Sequence, residues 1–573
     1  MRHHRPPASD FCSSERGTWK KDWRGRLPIA LIFPSHYGVG MSNLGFQLVY
    51  DQINQHPDLV CERVFLPESG GRPLSVESSR PLADFPILLV ALSFEQSLPD
   101  LLSMLLASGI EPLAEKRQGD KIAPGSPVIV AGGVACFINP EPLAPFVEAI
   151  LIGEAEELLS PLLESLTVGD VRAALLAKLV GLPGCYVPQY YDFHYDDSGM
   201  LTEIFAKDGA PARVTRAAWQ GGEAAGYSRL QSPAAEFADI FLVELGRGCS
   251  RSCRFCAAGF VYRPPRLWSS EVINRALDQR PAGINRVGLL GMEMARPEDL
   301  QKVAVRLVTE GCTLSFSSLR ADALTPELLQ LLAGSGLKSV AIAPDGGSER
   351  LRRVINKGIT QEAVLDGATR LVMAGIVNLK LYFMIGLPTE TEEDLVEMVA
   401  LVKAVREIMD IPGRARGRMA NLTLSINPLV PKAWTPLQYY AFVEPNLLKK
   451  KLDFIRHGLK GLNNLKIMGE KPGNAYLQAV LARGDRRLAP ALIEYAARGG
   501  NWQQVFKKCG VAPELYALRT RSRDELFPWE VIDQGIDKGY LWQEYCRALE
   551  ARASPVCEVS SCRRCGVCGG KGV

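Results

Sequence analysis

The sequence predicts an α/β protein in three parts: an N-terminal doubly wound parallel sheet, a central partial (β/α)6 TIM-like barrel, and a C-terminal helical region with a Cys-rich tail. Three observations predict it. Short β-rich runs alternate with helix-length amphipathic segments in two separate series. The stretch between the series has no long period, and beyond Asn446 the pattern turns helical and basic. The expected boundaries are 1–25 for a disordered N-terminus, 26–182 for the first domain, 183–235 for a linker, 236–445 for the barrel and 446–573 for the C-terminal region.

In the first domain the strand candidates are Ile29–Phe33, Val60–Phe65, Ile87–Leu92, Val128–Ala131 and Ile150–Ile152. Helical segments such as Asn43–Ile53 and Leu98–Leu106 lie between them. This alternation argues for a sheet covered on both faces, with a ligand crevice at the carboxyl ends of its strands. Turn residues fall at those ends, among them His36, Gly38, Ser93, Gly132 and Gly133. The run from Gly38 to Gly45 is Gly-rich and opens a helix, a form that could cradle a phosphate-bearing ligand.

The linker has room for one hairpin. Six further strand candidates follow: Phe241–Leu245, Arg286–Leu290, Thr313–Ser317, Ser339–Ala343, Leu379–Ile385 and Leu422–Ile426. Each precedes a helix-length segment, as in a barrel whose chemistry gathers where strands end. Lys449, Lys450, Lys451, Arg456 and Lys460 then share one helical segment, which reads as a solvated face or as an RNA contact.

With 573 residues, 47% hydrophobic and 23% charged, the chain has material for more than one core. No apolar run approaches the roughly 20 residues of a membrane-spanning helix. The His-, Arg- and Pro-rich start lacks the form of a secretory signal, so a cytoplasmic protein with no membrane partner is expected. A net charge of +3 does not indicate a nucleic-acid partner. Of 14 cysteines, seven crowd into two short clusters, which is how metal ligands rather than disulfides are distributed.

The first cluster, Cys249-Ser250-Arg251-Ser252-Cys253-Arg254-Phe255-Cys256, follows a strand. A cubane normally takes four thiolates, and here one loop supplies three. The iron left over can bind a substrate or cofactor. A zinc site would want a fourth Cys or His nearby, and the nearest histidines in sequence are His194 and His457.

This loop resembles the signature of the radical S-adenosylmethionine (SAM) superfamily, and the resemblance runs over roughly Phe241 to Thr435. It implies that Cys249, Cys253 and Cys256 hold a [4Fe–4S] cluster which, once reduced, splits SAM into methionine and a 5′-deoxyadenosyl radical. It also implies an electron donor such as flavodoxin or ferredoxin. Phe255 is the aromatic residue before the third cysteine. Gly291-Met292-Glu293 resembles the family's Gly-Gly-Glu element, whose backbone would bind the SAM amino group. Ser317 and Arg320 follow the third strand, and Arg320 suits either the methionyl carboxylate or a structural ion pair. Asp345 lies in a run similar to a Pro-Glu-x-Gly-Ser element and would face the ribose or amino group, or cap the next helix. Gly386 and Leu387 resemble an adenine-contacting turn, or form a plain strand-to-helix turn.

The order of a Rossmann-like domain before a barrel resembles cobalamin-dependent radical SAM enzymes, with echoes at Val130–Gly133, Asn139–Pro142 and Ile152–Glu157. The resemblance implies a corrin near His36, Gly38, Ser93, Gly132 and Gly133. The usual Asp-x-His-x-x-Gly motif is absent, and the alternative is a domain that only shapes the substrate cavity. Methylthiotransferases carry a second cluster on three N-terminal cysteines; Cys12, Cys61, Cys136 and Cys185 are scattered here and read as buried structural thiols.

At the other end, Cys557, Cys562, Cys565 and Cys568 lie within twelve residues of a tail expected to be flexible and without a core. They suit a second iron–sulfur cluster or a zinc ion, relaying electrons or anchoring the terminus. The whole reading is a radical SAM enzyme of unknown substrate, with methyl transfer if cobalamin is bound. A cobalamin-free RNA- or protein-modifying enzyme with an auxiliary cluster, and a non-catalytic metal-binding protein, are the alternatives.

Overall fold

The computed structural model describes residues 11–568 apart from 69, 118, 167–170, 223, 294 and 416–418, with no side chains considered at 411–415. Residues 1–10 and 569–573 lie outside the described residues.

Six strands form the N-terminal sheet: β1 (Leu27–Phe33), β2 (Leu59–Phe65), β3 (Ile87–Ala91), β4 (Val128–Gly132), β5 (Ala149–Leu151) and β6 (Cys185–Tyr186). Their order is β2-β1-β3-β4-β5-β6, with the first five parallel and β6 antiparallel at the edge. Strand β1 shows why the run is apolar throughout. Ala30 and Ile32 enter one core, whereas Ile29, Leu31 and Phe33 enter another on the opposite face. A parallel sheet covered by helices on both faces demands this. The order reverses between β1 and β3, which puts the topological switch point at their carboxyl ends.

Residues 11–25, expected to be disordered, are packed instead. Phe11 stacks on Tyr37 with ring centroids 4.0 Å apart. The Trp19 indole donates to Asp51 at 2.9 Å, and Trp23 donates to Glu62 at 2.6 Å. Glu15 accepts from Arg63 Nη2 at 2.6 Å, and Arg63 Nε donates to Glu77 at 2.6 Å. Sequence patterning missed this because each contact is made by an isolated aromatic or acidic residue with a distant partner.

The predicted linker is more than a connection. It supplies β6, a hairpin of β7 (Tyr191–Tyr195) and β8 (Leu201–Ala206), and β9 (Val214–Thr215). The central series starts with β10 (Phe241–Glu244) and the short antiparallel pair β11 (Gly246–Arg247) and β12 (Arg266–Leu267). It continues through β13 (Arg286–Leu290), β14 (Thr313–Phe316), β15 (Ser339–Asp345), β16 (Asn378–Ile385), β17 (Asn421–Pro428) and β18 (Leu465–Met468). Neighbours pair in parallel along β10-β13-β14 and β15-β16-β17-β18, and a parallel bridge from Leu319 to Ile342 joins the two groups. The predicted six strands are thus joined by a seventh, β18, whose four residues are too short to stand out from a helical, basic stretch. The outer edge of β10 pairs with Tyr227 rather than with β18, so the barrel stays open.

Helices 472–483, 489–498 and 538–549 dominate the C-terminal region, which pairs back through β19 (Ile532–Asp533) onto β9. The tail expected to lack a core packs too: Cys557 and Cys565 are buried. No described helix is long and apolar enough to cross a membrane.

Arg63 is fully buried between two carboxylates, and truncating one partner of such a group leaves the others uncompensated. Arg63→Ala should therefore cost about 3–5 kcal/mol in urea denaturation. A loss below about 1 kcal/mol would mean that residues 11–25 are not held by this triad.

Candidate functional site

The cysteine loop leaves β10 and turns through Gly248 at φ +82, where a Cβ would come within 2.5 Å of the Tyr262 carbonyl oxygen. Only glycine permits that approach. Cys249, Cys253 and Cys256 are each partly exposed on this one loop. Between the last two, Arg254 is fully buried and uses all five of its N–H donors. Nε bonds Glu544 at 3.1 Å, Nη1 bonds the carbonyls of Arg353 and Val354 at 3.0 and 2.9 Å, and Nη2 bonds the Arg552 carbonyl and Ser554 Oγ at 2.7 and 2.9 Å.

The surroundings of the thiols are strongly charged. Burial pushes the Cys253 thiol up to about 12, while the Lys357 ammonium pulls it down. Cys249 and Cys256 are also raised, chiefly by burial. A bare thiolate is disfavoured there, and a bound cation reverses that cost. Lys357 donates to Asp345 at 2.6 Å, and burial lifts the Asp345 carboxyl against this attraction. Among the described residues no three Cys, His, Asp or Glu side chains converge on a single-ion position. A cubane attaches each thiolate to a different iron, so its ligands stand further apart than those of one tetrahedral ion. Three thiols on one glycine-shaped loop, with a lysine alongside, fit that group.

Glu293 turns back onto the loop, accepting from the Ser250 amide at 2.8 Å and from Ser250 Oγ at 2.7 Å. Ser317 Oγ donates to the Gly291 carbonyl at 3.1 Å, joining the ends of β13 and β14. Met292 is 43% exposed. Phe255 packs partly buried against the core. Arg320 is engaged in the ion pair with Asp322 at 2.9 Å and also donates to the Lys357 carbonyl at 2.9 Å. The amides of Gly386 and Leu387 donate to Glu390 at 3.0 and 3.4 Å, and Glu390 pairs with Lys451 at 2.5 Å. That turn is accounted for by its own side chain, and Lys451 belongs to it rather than to a solvated face.

A cavity of about 310 Å³ lies between the N-terminal sheet and residues flanking the cysteine loop. Ser93, Gly132 and Gly133 line one side, at the ends of β3 and β4; Arg247, Tyr262 and Met292 line the other. Gly133 sits at φ +107 with the Leu92 carbonyl oxygen 2.5 Å from where a Cβ would be. His36 is exposed and Gly38 is packed with a would-be Cβ 2.9 Å from the Ala234 carbonyl oxygen; neither lines the cavity. In the Gly-rich run from Gly38, Gly38 accepts from Ser42 Oγ and the Glu236 amide, while Asn43, Leu44 and Gly45 at its far end line the cavity. A whole cobalamin exceeds this space, but small residues at the strand ends fit the approach of a corrin face to the backbone.

Glu154 ties the two walls together. It accepts from Arg266 Nη1 and Nη2, both at 2.7 Å, and from the Trp219 amide at 2.6 Å. Burial raises its carboxyl, but Arg266 holds it below the usual carboxylate range. Arg247 bonds Glu244 at 2.9 Å and Glu156 at 2.7 Å. Sequence reasoning missed Lys357 and these arginines because single basic residues in turns carry no local signal. The Gly153–Glu157 run did carry one, as a family echo.

Residues 45–188 match the family described as "Radical SAM proteins, N-terminal", and residues 243–402 match the "Radical SAM superfamily". An uncharacterised protein of Methanocaldococcus jannaschii is 26% identical over 81% of this chain and 90% of its own length. A tRNA-2-methylthio-N(6)-dimethylallyladenosine synthase of Chromohalobacter salexigens is 24% identical over 43% of this chain and 58% of that one. The methyltransferase TsrM from Kitasatospora setae, solved with cobalamin and a [4Fe–4S] cluster, superposes with a TM-score of 0.50 at 12% identity, covering 85% of this chain and 99% of that chain. At that identity the likeness concerns the fold.

Removing Arg254 leaves the buried Glu544 only the more distant Arg547 as its cation, at 4.0 Å, and releases the loop from its neighbouring segments. Arg254→Ala should cost about 3–5 kcal/mol and lower the iron retained after anaerobic reconstitution, read by denaturation and iron assay. Arg254→Lys should not restore it, because an ammonium cannot span five acceptors.

Proposed function

From its membership of the radical SAM superfamily, an enzyme family that uses a [4Fe–4S] cluster and SAM, we propose that this chain cleaves SAM reductively and acts on its substrate in the cavity beside the cysteine loop. Bound cluster and SAM supply hydrogen-atom abstraction, and cobalamin, where present, supplies a methyl group. One observation carries the reading: Met292, next to the Glu293 that holds the cysteine loop, lines the same cavity as Ser93, Gly132 and Gly133 of the N-terminal sheet.

Cys249, Cys253 and Cys256 hold the cluster in this reading. Lys357 offsets thiolate charge at Cys253 and Cys256. Glu293 fixes the loop through Ser250, while the backbone of Gly291 and Met292 faces the SAM amino group. Phe255, Ser317, Asp345, Gly386 and Leu387 surround the remainder of SAM. Arg320, held by Asp322 through Nε and Nη2, turns its Nη1 to the methionyl carboxylate. The cavity's position supports cobalamin on the Ser93, Gly132 and Gly133 wall, assisting methyl transfer. The protein works in the cytoplasm with a flavodoxin or ferredoxin as its electron donor.

A second reading, cobalamin-free RNA modification, is favoured by the similarity to the methylthio synthases. Cys61 and Cys185 count against a second N-terminal cluster of their kind, since they lie on β2 and β6, at opposite edges of the sheet.

Anaerobically reconstituted protein given SAM and dithionite should form 5′-deoxyadenosine, and Cys253→Ala should form none. Equal product from both would remove the cluster assignment. Protein made with cobalamin supplied should carry about one cobalt per chain. A ratio near zero would move the reading to the cobalamin-free enzyme.

A further inference from the structure

We propose that Cys557, Cys562, Cys565 and Cys568 hold a second [4Fe–4S] cluster, docked on the loop of the first and passing electrons to it. The segment 552–568 contains no helix or strand. Even so, Cys557 and Cys565 are only 8% and 5% exposed, while Val556 and Val559 in the same run are 44% and 41% exposed. Thiols turned in and valines turned out reverse the hydrophobic order of an ordinary packed segment. They suit a stretch that folds around a ligand its cysteines bind. The four thiols form one group: Cys557 and Cys562 share a hydrogen bond, and Cys568 interacts electrostatically with Cys562 and Cys565.

This group abuts the first cysteine loop directly. The Cys557 amide donates to the Ser250 carbonyl at 2.8 Å, one residue from Cys249. The Ser554 amide donates to Asn356 Oδ1 at 2.8 Å, and Asn356 Nδ2 in turn donates to the Ser252 carbonyl at 3.3 Å. The Asp537 amide holds the Cys565 carbonyl at 2.9 Å. Arg263 stands between the two sets of thiols. It donates to Ser252 Oγ at 2.8 Å and to the Gly259 carbonyl at 3.1 Å, and its guanidinium hydrogen-bonds Cys565. A buried cation beside the tail thiols offsets their negative charge while its other donors tie them to the first loop.

Zinc also takes four thiolates, but no three of the described side chains converge on a single-ion position and zinc cannot transfer electrons, so the contact with a redox loop selects iron. A low-potential one-electron protein, a flavodoxin or ferredoxin, reduces the tail cluster by one electron. The tail cluster is reoxidised as it reduces the first cluster by the same electron, and no bond is made or broken. The relay rests on the reading of Cys249, Cys253 and Cys256 above; the site itself does not.

The test uses the full-length chain, reconstituted anaerobically, with iron, sulfide and zinc assays and electron paramagnetic resonance after dithionite. Wild type should bind about eight irons, and both the triple variant C249A/C253A/C256A and the triple variant C562A/C565A/C568A about four, each with its own resonance. Cys562→Ser alone, at a half-buried position, should remove the tail signal with circular dichroism unchanged. The tail variants should form 5′-deoxyadenosine normally with dithionite but at least about tenfold more slowly with reduced flavodoxin. Four irons in wild type, all lost with the first-loop cysteines, or one zinc that depends on the tail, would overturn the site. Equal slowing with both donors, or none with either, would overturn the relay. If wild type forms no deoxyadenosine while the first-loop variant keeps its four irons, the proposed function fails and the tail cluster stands.

Discussion

A single guanidinium organises the centre of the molecule. Arg254 lies between two of the three loop cysteines, and its five donors reach a carboxylate, a hydroxyl and three backbone carbonyls from the helix after β15 and from the C-terminal region. Burying such a charge is costly unless every donor finds an acceptor, so the loop can adopt its shape only when all these segments are in place. The geometry of the thiols is therefore a property of the whole chain. No local turn preference would fix it, and Gly248 merely permits the path that Arg254 enforces.

A second set of charges fixes the loop against the N-terminal sheet. Glu154, at the end of β5, receives Arg266 from β12, and Glu156 receives Arg247 from β11. Glu154, Glu156 and Arg247 stand in the cavity wall, so its two sides are held at a set separation by charge-assisted hydrogen bonds. Small residues at the tips of β3 and β4 then decide how close anything in the cavity can come to the backbone.

Much of the strand framework was legible in the sequence because its signal is local. Five apolar runs buried on both faces identify the N-terminal sheet, and six of the seven central strands announce themselves through hydrophobic periodicity. The three loop cysteines were legible through spacing alone. What escaped depends on distant partners: Trp19 and Trp23 anchoring a segment that looks disordered, Lys357 beside Cys253, and a tail packed on Ser250. His36 and Gly38 carried the composition of a ligand turn but sit outside the cavity, because the chain between residues 232 and 236 packs over that turn.

The contacts of Asn139 and Glu141 bear on the order in which the protein comes into being. Asn139 donates to the carbonyls of Ala482 and Gly484 at 3.2 and 2.9 Å, and the buried Glu141 carboxylate receives Arg486 at 2.8 Å. These partners lie more than 340 residues downstream. A nascent chain leaving the ribosome can assemble the early sheet from its own helices, with Tyr186 already donating to Glu141, yet the Asn139 amide waits for residues 482–484. Such long-range pairing slows folding. Synthesis therefore has an interval in which this flank of the sheet stands uncovered, before the segment from Ala482 to Arg486 packs against it.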